Sequence, residues 1–143
     1  MSQNYDPANI FAKILRGEAP CVRVVEDDVS LAFMDIMPRA DGHVLVLPKT
    51  PARNLLDIPP AALARFIPSV QRVAVAVKKA MAADGITIHQ FNESAGGQLI
   101  FHLHFHVLPR WLGVALRLPG GEVAPTEKLA AQAAKIRAAL DAH

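Results

Sequence analysis

One cysteine, one tryptophan and one tyrosine are all that this 143-residue chain has of those residue types. With Cys21 alone, no intrachain disulfide can form and no paired-cysteine metal knuckle can be built, which suits a reducing compartment. Long apolar runs are missing too. The longest apolar helical stretch, residues 61 to 81, is broken by Arg65, Arg72, Lys78 and Lys79, so no bilayer span is expected. The opening residues show no basic region running into an apolar one, and no secretory signal is expected. Charge of one sign is equally scarce: 15 Lys and Arg against 13 Asp and Glu leave +2, too little for sequence-independent nucleic-acid binding. There is no Walker loop, no paired-glycine dinucleotide fingerprint and no G-x-S-x-G elbow. These absences leave a cytoplasmic protein acting on a small molecule, with neither nucleic acid nor membrane as partner.

What is present is 52% hydrophobic residues, enough for the core of one domain over 1–143. Residues 9 to 16 read as a short helix ended by Gly17. Runs 22–26 and 29–34 flank Asp27 and Asp28 as a hairpin. Residues 43–47 are almost continuously apolar, a strand covered on both faces. A brief helical turn is expected at Thr50 and Pro51. Pro59 and Pro60 then open a long amphipathic helix to about Ala83, with Leu63, Phe66, Ile67, Val70, Ala74, Val77 and Met81 inward, Ser69 and Arg72 outward, and a kink at Pro68. Strands at 86–91 and 99–108 flank a polar loop, 92–97, and a helix at 126–142 presents Leu129, Ala133, Ile136 and Leu140 to the core. The expected class is α+β: an antiparallel sheet of about five strands, the long helix on one face and an exposed groove on the other.

The chemistry gathers in His102-Leu103-His104-Phe105-His106. On a strand, alternation sends all three imidazoles from one face at intervals of about 6.6 Å. Three solvent-side imidazoles stabilise nothing obvious, which points to function. A neutral imidazole has a free lone pair at pH 7 and can attack phosphorus directly, provided its other nitrogen is held as N–H and nearby donors offset phosphate charge. The same spacing also suits two ligands of a zinc or iron site completed from elsewhere, and that reading stays open.

The string HLHFHVL, together with IFAKILRGEAP, EDDVSLAFMDIMPRADGHVLVLPK and FNESAGGQ in the same order, resembles the histidine triad (HIT) family over about residues 10–110, leaving 111–143 as an extension. The resemblance implies a homodimer that binds a purine nucleotide of AMP or GMP type. It further implies hydrolysis of purine nucleotide phosphoramidates or related adenylylated compounds through a nucleotidyl-histidine intermediate, with dinucleoside polyphosphate hydrolysis or a non-catalytic nucleotide sensor as alternatives. By the same resemblance His104 is the nucleophile, and His106 contacts the α-phosphate and leaving group. His102 and His43 support them, with the His102 carbonyl as acceptor for the nucleophile's N–H. Asp35 takes the ribose hydroxyls, Ile10, Phe11, Ile14, Phe33 and Ile36 form the base slot, and Asn92, Gly97 and Gln98 form the phosphate-side loop. Leu99 departs from the hydroxyl residue relatives place there. No cofactor is required, and with Cys21 alone the structural zinc of some relatives is not expected. His89 reads as a packing or surface residue, Arg110 and Trp111 as local packing and a solvated charge, and His143 as merely the last residue.

Overall fold

The computed structural model describes residues 4–142; His143 lies outside them. Helix α1, Ile10–Leu15, begins where the Asn9 side chain accepts the Ala12 N–H at 2.9 Å, and it ends at Gly17, whose φ of +78° suits glycine. Strands β1 (Arg23–Glu26) and β2 (Ser30–Met34) form the expected hairpin, with the Asp27 carboxylate accepting the N–H groups of Val29 and Ser30 across the turn. Strand β3, Val44–Pro48, is buried at every position. No helix forms at Thr50 and Pro51. Helix α2 spans Pro60–Ala80, strand β4 Gly85–His89, strand β5 Phe105–Arg110 and helix α3 Thr126–Asp141, with a single 3-10 turn at Ser94–Gly96.

The five strands form one antiparallel sheet in the order β1-β2-β3-β5-β4. Alternation gives the sheet two different faces. Ala32, Met34, Val44, Val46 and Val107 point to one face, where they pack against Phe66, Val70, Val73 and Val77 of α2 and Leu129, Ala133 and Ile136 of α3. Each Val, Leu, Ile, Phe or Met among them contributes about 1.5–3 kcal/mol when fully buried. Leu31, Phe33, Leu45 and Leu47 point the other way, under Phe11 of α1. No helix among the described residues is long and apolar enough to cross a membrane.

Three readings from the sequence need correction. The inward face of α2 is rotated: Ile67 is 41% exposed, whereas Ser69 is buried, its hydroxyl satisfied by Ser30 Oγ at 2.9 Å. Helix α2 runs on through Pro68, which lies on its exposed side, where the carbonyl left without a partner can reach water. Strand β5 begins at Phe105 rather than at residue 99, because residues 99–104 leave the ladder to wrap over Ala52 and Pro48.

Candidate active site

The late start of β5 changes the geometry of the histidine string. Only His106 is on the strand, in register with Leu45 of β3 and His89 of β4, and so on the sheet face opposite α2. His102 and His104 precede the strand and are buried, His102 completely and His104 to 9% exposure. The expectation of three solvent-side imidazoles is therefore wrong, since polar groups lost to water have been exchanged for internal partners. Phe101, expected on the core face, instead carries the Arg53 guanidinium over its ring at 4.1 Å.

Hydrogen bonds fix the tautomer of each ring, because a carbonyl oxygen only accepts. His104 Nδ1 donates to the His102 carbonyl at 2.6 Å, which leaves the lone pair on Nε2. His102 Nε2 donates to the Pro48 carbonyl at 2.8 Å, so its Nδ1 accepts, and the Tyr5 hydroxyl donates to it at 2.6 Å. His43, one residue before β3, accepts the Arg39 N–H on Nδ1 at 3.1 Å. Its Nε2–H then donates to His106 Nδ1 at 2.9 Å, which leaves His106 with an Nε2–H to donate outward. The site thus pairs a nitrogen lone pair on His104 with an N–H on His106, the ring centroids 5.1 Å apart.

Burial keeps all four rings neutral. Desolvation, then neighbouring positive charge, takes His43 and His106 to about 3. His102 falls to about 4 for the same first reason, and His104 is lowered by burial against the opposing pull of the His102 carbonyl. Asp35 Oδ2 lies 3.5 Å from His43 Nε2, but with His43 neutral this is no ion pair; burial raises the Asp35 carboxyl, opposed by the Met37 N–H that its other oxygen accepts at 2.9 Å.

Asp35, His43 and His106 are also a candidate cation cluster, their donor atoms lying within 4.8 Å of one another. A cation there needs the lone pair of His43 Nε2, and hence a proton on Nδ1, where the Arg39 N–H already sits at 3.1 Å. The hydrogen-bonded residues do not fit a metal while that contact stands. Cys21 packs against the cluster beneath α1.

The remaining expected residues divide. Phe33 is core, and Phe11 is buried with its ring edge-on to that of His104 at 4.8 Å, so that it packs on that imidazole. Ile14 is half-buried, while Ile10 at the start of α1 and Ile36 next to Asp35 in the chain are 45% and 50% exposed. Gln98 is buried with its amide fully engaged, accepting from Glu93 N–H and Asn54 and donating to the carbonyls of Arg53 and Ile100. Its side chain shapes the loop and has nothing left for a phosphate. Asn92 Oδ1 accepts from Leu55 N–H and Gln90. Gly97 has φ +95°, and an added Cβ would meet the Phe91 ring at 3.3 Å. The N–H groups of residues 96, 97 and 98 turn inward to the carbonyls of Glu93 and Ser94, so they do not form the anion nest the loop composition suggested.

Sequence reasoning missed several contributors. Tyr5 bonds a ring 97 residues away. His89, read as unremarkable, faces His106 across the ladder at 6.5 Å, and Phe91 packs on His106 at 5.6 Å. The period-two pairing of residues 89 and 91 with the histidine strand was the available signal for these two; Tyr5 had none. Arg110 and Trp111 are local, bonded to Thr87 and to the carbonyls of Met81 and Ala82.

An antiparallel sheet carrying a relay of neutral, mutually oriented histidines beside a partly buried carboxylate makes this a histidine-based site. The HIT domain family matches residues 16–111, and the chain belongs to that family. It is 37% identical to the adenylylsulfatase HINT3 of Arabidopsis thaliana over 76% of this chain and 58% of that protein, and so spans little more than half of that relative. It is 34% identical to the adenosine 5'-monophosphoramidase hnt1 of Schizosaccharomyces pombe over 82% of this chain and 88% of that one. In structure it is similar to a HIT-like protein of Bartonella henselae described as involved in cell-cycle regulation, with TM-score 0.88 and 56% identity over 94% of this chain and 98% of that. A zinc-bound histidine triad protein of Mycobacterium smegmatis is also similar, with TM-score 0.80 and 34% identity over 94% of each chain.

Proposed function

We propose that this protein hydrolyses purine nucleotide phosphoramidates or related adenylylated compounds through a nucleotidyl-histidine intermediate on His104. The observation that carries the reading is the pair of fixed tautomers: a lone pair on His104 Nε2 beside an outward N–H on His106. The names of relatives that are adenosine 5'-monophosphoramidases or an adenylylsulfatase support the substrate class.

In the proposed reaction His104 Nε2 attacks the α-phosphorus as the bond to the leaving group breaks. His106 Nε2–H hydrogen-bonds the leaving atom, offsets the charge developing on it and passes it the proton with which it departs, a proton that the water of the second step returns. The His102 carbonyl holds the Nδ1–H of the phosphorylated ring, whose positive charge it stabilises. Water then cleaves the nitrogen–phosphorus bond, releasing AMP and restoring His104. Asp35 accepts from the ribose hydroxyls through its two oxygens, and the base rests on the exposed apolar surface of Ile10 and Ile36. No resident metal or cofactor enters these steps. Incubation with adenosine 5'-phosphoramidate tests the reading. AMP should appear with unmodified protein and disappear with His104→Ala while AMP binding survives; AMP release that persists in the variant, or none from unmodified protein, overturns it.

We also propose a homodimer in the cytoplasm. Strands β1 and β4 are the two edges of the sheet; on β4 Ile88 is 43% exposed, and Leu112 and Val114 beyond β5 are 88% and 54% exposed. Sedimentation at twice the chain mass of 15.4 kDa is expected, and sedimentation at the chain mass would refute the dimer.

A further inference from the structure

The ring of His102 is fully buried and belongs to the same residue as the carbonyl that orients His104. Its Nε2 can only donate to the Pro48 carbonyl, so its Nδ1 is an acceptor with no access to water. Among the described residues the Tyr5 hydroxyl, at 2.6 Å, is the donor that satisfies it. The phenol stays protonated, because burial raises it above its ordinary 10.0 against the hydrogen bond from Asn9. Tyr5 itself is held in place. Its ring meets His102 edge-on at 5.6 Å, and the neighbouring Asn4 carbonyl accepts from Arg53, which also pairs with Glu93 and lies over Phe101. The residues before α1 are therefore tied to the same loops that carry the histidines.

We infer that Tyr5 is a positioning residue: its hydroxyl locks His102 as the Nε2–H tautomer, and through the His102 carbonyl it aims the His104 lone pair. This rests on the assignment of His104 as the attacking group. A ring anchored at both nitrogens cannot rotate or exchange tautomers, and the carbonyl on the same residue inherits that restraint. Without the hydroxyl, Nδ1 is left unpaired inside the protein. The ring then turns or admits water, and the 2.6 Å bond to His104 loosens.

Tyr5→Phe keeps the ring contact and removes only the donor. For release of AMP from adenosine 5'-phosphoramidate, kcat should fall about ten- to a hundredfold with KM within about twofold, the pattern of a misaimed nucleophile rather than a damaged pocket. Nitrogen-15 spectra of the imidazoles should show His102 Nδ1 moving downfield and the two His104 nitrogens moving toward averaged values, a signature that lost stability alone does not give. Tyr5 is the only tyrosine in the chain, so uniform 3-fluorotyrosine labelling alters this hydroxyl alone and gives a second probe if the Phe variant folds poorly. The stronger donor should move His102 Nδ1 upfield. An unchanged kcat, or a change at His102 with none at His104, overturns the inference. If unmodified protein releases no AMP, the hydrolase reading fails, and the His104 spectra still decide the role of Tyr5.

Discussion

His43, His102 and His106 refuse protons that the same side chains accept in an unfolded chain. Burial takes them to about 3, about 4 and about 3 respectively, against a free value of about 6.5. Below about pH 6.5 the unfolded state therefore binds protons that the folded state does not, and each group costs up to about 1.4 kcal/mol per pH unit. Stability should be full above that pH and should drop steeply toward pH 4, with Asp35, raised by burial, opposing as a single group. Urea midpoints measured at about pH 7.5 and 5 check this, and equal midpoints would contradict it. At this scale the histidine string was legible because five residues alternate without interruption, and Asp35 was legible through the resemblance of its segment. The surroundings of Gln98 and Phe11 were not legible for one reason: a sequence shows that an amide or a ring is present, but not which internal partners engage it.

Among the elements, the turn into β3 sets His43, and glycine makes that turn. Gly42 has φ +85°, donates its N–H to Gln132 of α3 at 3.1 Å, and would place an added Cβ 2.6 Å from Met81 Cγ. Gly17 has φ +78° with nothing within 4 Å. Gly42→Ala should therefore cost about 2–4 kcal/mol and Gly17→Ala about 1 kcal/mol, the difference being the clash. Urea unfolding of both variants measures it, and equal losses would remove the argument. The hairpin, β3 and α3 were readable because turn chemistry and periodicity agreed there. The face of α2 was misjudged because Ser69 buries a hydroxyl that finds Ser30 on another element. The start of β5 was misjudged because alternation continues through 99–104 in sequence while the backbone bonds elsewhere, Leu103 N–H to the Ala52 carbonyl. Both depend on contacts far along the chain, 39 residues away in the case of Ser30 and Ser69.

Across the whole molecule, the sheet has one face filled by α2 and α3 and the other given to α1 and the histidines. The extension beyond β5 belongs to this arrangement. Arg117 N–H donates to the Arg39 carbonyl at 2.8 Å, Arg39 Nε returns a bond to the Arg117 carbonyl at 2.8 Å, and Ala124 N–H meets the Ile36 carbonyl at 2.8 Å. These bonds secure the loop whose Arg39 N–H fixes His43 and whose Asp35 faces the site, which the aperiodic sequence of 111–125 gave no means of anticipating. The central claim is that His104 attacks phosphorus and forms a covalent intermediate. The stereochemical course at phosphorus tests it most directly, using an adenosine phosphorothioate analogue of defined configuration hydrolysed in oxygen-18 water. Two successive displacements, first by His104 and then by water, predict net retention; inversion would mean that water attacks directly and would contradict the account.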